Sequence, residues 1–377
     1  MSLNHAQTEA VAHNKGPCMV LAGPGSGKTL TIAKRIEYLI MKHKVRPEEI
    51  LVITFTKYAA WEMKNRTRSI CGPSSYAVTF GTFHGIYYGI LKWAYRLNQS
   101  NLLSDEEKYR ILREILPGID WDQEPEADEE KDYLQELAIE IGNVKNNCMD
   151  IEEYEPVKYT TEKFRKLYRT YEETKKKYRK IDFEDMLIQC RDLFMKRPDI
   201  LKKWQEKFQY ILVDEFQDVN QAQYDVVRML AAPQDNLFVV GDDDQSVYGF
   251  RGAKPGIMME FMKDYPKARQ ILLDVNYRSS GYIVKGALRV IGNNKIRFEK
   301  KIEAFRKPDE TVHVQEVKDP VQEAEYVLER IREYREKGVS YTEMAVLYRT
   351  NVDARAMSEL MLSLIHISEP TRHAQIS

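Results

Sequence analysis

The segment Ala22–Thr29, with the sequence AGPGSGKT, decides the fold of this chain. It follows the apolar run Cys18–Ala22, which has the length of a buried strand, and it precedes the helical pattern Leu30–Met41. The pattern is G-x-x-x-x-G-K-[ST] with alanine in the first glycine position. A plain glycine-rich turn is the alternative, but the strand, the helix and the Lys-Thr pair together favour a phosphate-binding loop.

In such a loop the glycines let backbone N–H groups curl around a phosphate, and the helix N-terminus adds partial positive charge. We expect the Lys28 ammonium to reach the β and γ phosphates and the Thr29 hydroxyl to ligate Mg²⁺. The residues predicted to hold the nucleotide are Ala22, Gly23, Pro24, Gly25, Ser26, Gly27, Lys28 and Thr29.

A second apolar strand, Tyr210–Val213, ends in two carboxylates. We expect Asp214 to hold Mg²⁺ through water, and Glu215 to orient and deprotonate the attacking water. Two adjacent acids at the end of a strand could instead cap a helix. The catalytic interpretation is favoured because a phosphate-binding loop needs such a partner.

Apolar runs of strand length recur along the chain, and helical patterns separate most of them. This alternation predicts an α/β fold with a parallel sheet and right-handed crossovers. From Tyr87 to Trp204 the strand-like runs vanish and charged amphipathic helices replace them, which predicts a helical insertion between two parts of one sheet. A further α/β section begins after about Asn276. The predicted strands are Cys18–Ala22, Ile50–Phe55, Ala77–Phe80, Tyr210–Val213, Leu237–Val240, Ile271–Leu273 and Ala345–Tyr348.

The composition excludes several classes of protein. The 377 residues include 57 Lys and Arg against 58 Asp and Glu, which excludes a globally basic binder and an acidic disordered chain. No run approaches the ~18 apolar residues of a membrane span, and the N-terminus does not resemble a secretory signal. The four cysteines are scattered, which disfavours a zinc site or a disulfide framework and is typical of the reducing cytoplasm.

The near-neutral total hides two charged segments. Asp120–Glu136 holds nine acidic residues and one basic residue, whereas Lys158–Lys180 holds ten Lys or Arg and three Glu, interleaved with aromatic residues. The basic segment has two interpretations: a surface that follows nucleic-acid phosphates, or a solvated helix of ion pairs.

Several further sequence blocks accompany the phosphate loop: Leu3–Val11, Thr54–Thr56, Thr82–His84, Asp182–Asp185, Asp214–Asp218, Val240–Ala253, Asn276–Ser279 and Val346–Asn351. In this order, the blocks resemble those of the UvrD/PcrA/Rep-type superfamily 1 DNA helicases, over about Met1 to Met361. The resemblance implies a first RecA-like P-loop lobe in two parts, residues 1–90 and 204–275, a helical insertion over 91–203, and the start of a second RecA-like lobe over 276–361.

The resemblance implies ATP and Mg²⁺ as cofactors and gives roles to individual residues. Gln7 would contact the adenine edge and Tyr277 would stack on the base. Gln245 would sense the γ-phosphate and couple it to the DNA groove, and Arg278 would be the arginine finger. Arg35 is also assigned to nucleotide binding on this basis.

The resemblance also implies a surface for single-stranded DNA, where bases stack on aromatic side chains and hydroxyls hold the backbone. Two of its residues have structural alternatives: Phe55 could be a core residue and His84 a buried structural histidine. Phe250 stands where many relatives carry Trp, and it retains a stacking face. The predicted DNA contacts are Phe55, Thr56, Thr82, His84, Tyr248, Phe250 and Arg251.

The activity so implied is ATP-dependent 3′→5′ unwinding or translocation on DNA in repair or replication, in a bacterial cytoplasm and near the nucleoid. The implied partners are single-stranded DNA, junctions of single- and double-stranded DNA, and repair proteins, without a membrane. Two alternatives are an ATP-switched DNA-binding module that does not unwind and a nuclease-linked recombination helicase subunit. The sequence Gly241–Gln245 speaks against the second alternative, and Glu215, Gln245 and Arg278 speak against the first for the parent gene. For the chain as given the first alternative stays open, because the predicted second lobe is incomplete.

The segment Leu362–Arg372 corresponds to the translation of a transposon-end adapter used in sequencing libraries. We therefore expect native sequence to end near Met361, with residues 362–377 as a foreign tail; the alternative is a genuine short terminal segment. We also expect the chain as written to separate DNA strands poorly.

Overall fold

The computed structural model describes residues 2–119, 130–246, 254, 256–295, 297–308, 311–350 and 352–368. The chain forms two compact units, Met1–Glu310 and Thr311–Ser377. The first unit contains a six-stranded sheet formed by β1 (Cys18–Ala22), β2 (Ile50–Thr54), β3 (Thr79–Thr82), β4 (Tyr210–Val213), β5 (Leu237–Gly241) and β6 (Arg269–Leu273). The α/β prediction is confirmed, and six predicted strands form with ends shifted by at most two residues.

The sheet has the order β3-β2-β4-β5-β1-β6, and every neighbouring pair is parallel. All strands therefore finish at one edge, which we call the carboxyl edge. The phosphate loop leaves this edge from β1, and Asp214 leaves it from β4. Thr54 lies opposite Thr82 where β2 and β3 end side by side.

Twelve helices are described in the first unit. They are α1 (His5–Ala12), α2 (Lys28–Met41), α3 (Lys57–Cys71), α4 (Phe83–Tyr95), α5 (Asp105–Ile115), α6 (Glu130–Asn146), α7 (Thr161–Lys177), α8 (Phe183–Lys196), α9 (Pro198–Lys207), α10 (Gln221–Ala231), α11 (Ile257–Asp264) and α12 (Gly281–Ile291).

Both faces of the sheet are covered, which explains why the four central strands β1, β2, β4 and β5 are buried throughout and almost wholly apolar. Side chains alternate along β1, so that Val20 packs with α1, α2 and α3 on one face, whereas Met19 and Leu21 pack with α4, α8, α10 and α11 on the other. The result is a three-layer structure that holds the carboxyl edge rigidly.

The predicted insertion is helical in its described part, where one isolated bridge, Leu102–Ile181, is the only strand-like pairing. Helices α5, α6 and α7 form a separate core around Leu112, Leu137 and Phe164. Helix α8 instead packs into the core of the sheet. The boundaries at residues 91 and 203 stay predictions.

After β6 the chain forms a second, two-stranded parallel sheet from β7 (Val275–Ser280) and β8 (Glu303–Arg306), with α12 between them. This small sheet belongs to the first compact unit. It carries Tyr277 and Arg278.

The second unit contains α13 (Pro320–Glu336) and α14 (Ala354–Ser368). The prediction of a strand at Ala345–Tyr348 is wrong, because these residues are irregular and Leu347 is 93% exposed. An apolar run becomes a strand only where a neighbour pairs its backbone, and the described part of this unit has no strand to do so. Across the described ranges, no helix has the length and apolar character needed to cross a membrane.

Candidate nucleotide site and DNA-facing edge

The phosphate loop is held in a shape that only glycine accommodates at two positions. Gly25 and Gly27 have positive φ angles of 66° and 86°. A Cβ on Gly25 would lie 2.6 Å from Cβ of Arg278, and one on Gly27 would lie 2.8 Å from Nε2 of Gln7. The Ser26 hydroxyl donates to the Gly23 carbonyl at 2.7 Å and closes the turn.

The structure brings Lys28 and Glu215 together. The Lys28 ammonium lies 2.8 Å from Oε2 of Glu215, which is 187 residues away in sequence. Glu215 takes a left-handed conformation, with φ 49°, directly after β4. The Gln217 amide donates to the same carboxylate oxygen at 2.9 Å. A cation and an amide therefore fix the acid beside the phosphate loop.

Asp214 is buried at the end of β4, and its carboxylate accepts from the Glu215 N–H at 3.0 Å. Burial, and then the neighbouring Glu215 charge, raise the pKa of Asp214 to about 6, although Lys28 opposes this. A divalent cation would relieve that electrostatic cost, and a carboxylate with the Thr29 hydroxyl is the hard-oxygen donor set that Mg²⁺ prefers. The residues present therefore fit the metal.

Gln245 is tied to the same network. Its amide donates to Oδ2 of Asp242 at 2.6 Å, and the Asp242 N–H donates to Oε1 of Gln217 at 2.9 Å. Because Gln217 also holds Glu215, three of the predicted catalytic side chains, Lys28, Glu215 and Gln245, belong to one hydrogen-bonded chain.

Gln7 and Tyr277, the residues expected at the base, both lie at the phosphate loop. Gln7 donates to the Ser26 carbonyl at 2.9 Å, and the Tyr277 N–H donates to the Gly25 carbonyl at 2.9 Å. Asn4, which belongs to the Leu3–Val11 block but was given no role there, donates to the Tyr277 hydroxyl at 2.9 Å. The Asn4 side-chain oxygen also accepts from the Gln7 N–H, and the Gln7 side-chain oxygen accepts from the Asn4 N–H, so that the two residues form the capping box of α1. That capping box was the sequence signal.

Arg278 and Arg35 lie in different settings. Arg278 is exposed next to Gly25, and within the described ranges its guanidinium has no ion-pair partner. Arg35 is buried, with its guanidinium bonded to the carbonyls of Ala10 and His13 and lying 4.3 Å above the Phe238 ring.

The nucleotide assignment of Arg35 is therefore corrected. Its Nη1 donates to two carbonyls at the end of α1, and burial lowers the pKa of Arg35 to about 10. The Arg35 side chain lies beneath α1 and against the Phe238 ring rather than at the phosphate loop.

The predicted DNA block residues lie at the carboxyl edge. The Thr56 and Thr82 hydroxyls accept from the first turns of α3 and α4, so each caps a helix. Phe55 is half-buried, which leaves both of its interpretations open. His84 is half-buried against Phe183, with ring centroids 5.3 Å apart, and burial lowers its pKa.

The structure adds exposed aromatic side chains near this edge to which no DNA role was assigned from the sequence, although Phe183 belongs to the Asp182–Asp185 block. Phe183 is exposed beside His84, at the start of α8. Tyr58 and Trp61 are exposed on the first turns of α3, with ring centroids 5.8 Å apart. Aromatic residues immediately after the Thr54–Thr56 block were the available signal. The predicted contacts Tyr248, Phe250 and Arg251 lie outside the described residues.

The basic segment Lys158–Lys180 is largely engaged within the insertion. Lys158 pairs with Glu136 and Lys180 with Glu107, each at 2.8 Å. The structure thus favours the interpretation as an ion-paired helix over that of a phosphate-following surface.

Comparison with known proteins gives a consistent result. The UvrD/REP helicase N-terminal domain family matches residues 3–266, and the UvrD-like helicase C-terminal domain family matches residues 271–367. A Bacillus subtilis protein named "Putative ATP-dependent DNA helicase YjcD" is 40% identical over 370 residues, covering 95% of this chain and 47% of that protein.

The ATP-dependent DNA helicase PcrA of Staphylococcus aureus is 35% identical over 368 residues, covering 96% of this chain and 49% of that protein. PcrA of Staphylococcus epidermidis is also 35% identical, with 96% and 50% covered. The chain thus spans about half the length of the curated relatives it matches. Since the N-terminal domain family alone matches most of its residues, the chain belongs to the UvrD/REP helicase family.

Proposed function

We propose that this chain is the ATP-hydrolysing part of a DNA helicase that moves 3′→5′ along single-stranded DNA. The observation that carries the proposal is the Lys28–Glu215 pair, 2.8 Å apart, beside a loop whose backbone bonds to Tyr277 and Gln7. The lysine expected to bind phosphate, the carboxylate expected to activate water and the two residues expected at the adenine base are therefore close together.

Each residue has a distinct part in the proposed reaction. The loop N–H groups and Lys28 bind the β and γ phosphates, while Gln7 and Tyr277 orient the base. Glu215 orients the attacking water and accepts its proton, and Arg278 stabilises charge on the transferring phosphoryl group. Mg²⁺, held by Thr29 and Asp214, would supply charge neutralisation between the phosphates.

We propose that single-stranded DNA lies along the carboxyl edge. The block residues Phe55, Thr56, Thr82 and His84 share this edge with the exposed aromatic side chains Tyr58, Trp61 and Phe183. Aromatic rings give every base a stacking face, so binding would be independent of sequence. The resemblance supports a role in repair or replication at junctions of single- and double-stranded DNA.

The test is ATP hydrolysis by the purified chain with and without single-stranded oligonucleotide. We expect stimulation by DNA, and Lys28→Ala should lower the stimulated rate by about 100-fold or more because the phosphates lose their cation. Lys42→Ala, an exposed lysine at the far end of α2, is the matched control and should hydrolyse ATP at the parent rate. Undiminished turnover by Lys28→Ala would refute the assignment of the phosphate loop.

A further inference from the structure

A cation lies buried at the centre of three carboxylates directly after β5. We call Asp242–Asp244 the acidic box. The Lys300 ammonium lies 2.5, 2.6 and 2.6 Å from oxygens of its three members in turn, and the Lys300 side chain is fully buried. Arg297 forms a bidentate pair with Asp244, at 2.8 and 2.6 Å. Two cations thus offset the mutual repulsion of three close carboxylates.

Both cations come from the short segment that joins α12 to β8. The Phe298 N–H in this segment also donates to Asp243 at 2.8 Å. Burial lowers the pKa of Lys300, but hydrogen bonds to the three carboxylates outweigh this and raise it above its usual value. An ammonium has three donors, and all three are used here. Lys300 therefore acts only through the acidic box.

Asp242 links this cation to the nucleotide site. Its Oδ1 accepts from Lys300 at 2.5 Å, and its Oδ2 accepts from the Gln245 amide at 2.6 Å. Its N–H donates to Gln217, which in turn holds Glu215. Any rotation of the Asp242 carboxylate would consequently move Gln245.

We propose that Lys300 is a positioning residue for ATP hydrolysis, which fixes Asp242 so that the Gln245 amide faces the γ-phosphate. Arg297 contributes through its pair with Asp244. We call the contacts of Lys300 and Arg297 with the acidic box the clamp. The inference rests on the proposed function, since it uses the γ-phosphate role of Gln245. It assigns to the α12–β8 segment a part in sensing the nucleotide.

The test compares a nucleotide that has a γ-phosphate with one that lacks it. We would measure equilibrium binding of the non-hydrolysable analogue AMPPNP and of ADP, together with DNA-stimulated turnover, for Lys300→Met. AMPPNP affinity and turnover should each fall about tenfold or more, as for loss of other orienting side chains, while ADP affinity stays within about twofold. Lys301→Met, the exposed neighbour, should match the parent in all three.

A double-variant cycle separates positioning from packing. If Lys300 acts through Gln245, combining Lys300→Met with Gln245→Ala should weaken AMPPNP binding no more than Gln245→Ala alone. Arg297→Gln removes only the contact to Asp244 at a partly exposed site and should give a smaller loss of the same kind. If Lys300→Met does not fold, this second variant decides the matter.

Three results would overturn the clamp: unchanged AMPPNP binding, equal losses for ADP and AMPPNP, or additive losses in the cycle. A parent chain that neither binds AMPPNP nor hydrolyses ATP would instead contradict the proposed function. The two failures are therefore distinguishable.

Discussion

Glu215 takes a left-handed backbone conformation as the chain leaves β4. A non-glycine residue adopts this conformation at a cost of about 1–3 kcal/mol, so the surrounding contacts must hold it. Lys28 and Gln217 supply those contacts at 2.8 and 2.9 Å. At the residue scale, an unfavourable backbone conformation is tolerated because it places the Glu215 carboxylate beside the phosphate loop.

Arg278 gives the residue-scale prediction. It stands exposed beside Gly25, where a guanidinium can reach a phosphoryl group without breaking an existing pair. We expect Arg278→Ala to lower kcat for DNA-stimulated ATP hydrolysis by about 10³-fold or more, with a much smaller change in KM for ATP. Steady-state kinetics checks this, with Arg289→Ala on α12 as the control. A loss confined to KM would assign Arg278 to ground-state binding instead.

At the element scale, a buried charge cluster joins α6 and α7 to α8. Lys145 from α6 and Lys175 from α7 both contact Asp182 and Asp185, at 2.5 to 2.9 Å. Burial opposes ionisation of Asp182, but the two lysines outweigh it and hold the pKa of Asp182 well below its usual range. The same two acids form the capping box of α8. Part of the basic segment Lys158–Lys180 is therefore structural, because Lys175 pairs with buried carboxylates of another helix.

We expect Lys175→Met to lower the free energy of unfolding by about 3–5 kcal/mol, because it leaves buried carboxylates short of a cation. Urea unfolding followed by circular dichroism measures this. Lys176→Met, the exposed neighbour on α7, should change the value by about 0.5 kcal/mol at most. Equal stability of the two variants would show that Lys145 alone is enough to balance the charges of Asp182 and Asp185.

At the scale of the whole first unit, parallel strands place two kinds of chemistry on one edge. The nucleotide site uses the ends of β1, β4 and β5, and the proposed DNA surface uses the adjacent ends of β2 and β3. Thr54 ends β2, the strand next to β4, and Thr82 stands opposite it on β3, one strand further from β4. The candidate nucleotide site and the proposed DNA surface are therefore neighbours along the same edge of one sheet.

Trp61 tests that surface. Its ring is exposed one turn into α3, about 6 Å along the helix from the carboxyl edge, whereas exposed Trp93 lies about 15 Å along α4. We expect Trp61→Ala to cost about 1–3 kcal/mol in oligonucleotide binding, measured by fluorescence anisotropy, and Trp61→Phe to retain most of it. Trp93→Ala should bind like the parent. Equal affinities for Trp61→Ala and Trp93→Ala would remove Trp61 from the DNA surface.

The local sequence by itself determined the phosphate loop, the strands β1 and β4 and the helical nature of the insertion. Each depends on periodicity, on glycine conformations or on short spacings, which are properties of neighbouring residues. The candidate nucleotide-site residues Lys28, Glu215 and Gln245 could be predicted for the same reason, since each follows a recognisable strand.

Only the tertiary structure decided which charges meet and which are buried. Lys300 and Arg297 contact the acidic box although more than fifty residues separate them from it in the sequence. Arg35 is buried beneath α1, and Lys175 pairs with buried Asp182. The apolar run Ala345–Tyr348 is likewise not a strand, because no described neighbour pairs with it. The role of a charged residue or an apolar run depends on the residues that it contacts. Those contacts are formed when elements distant in the chain pack together.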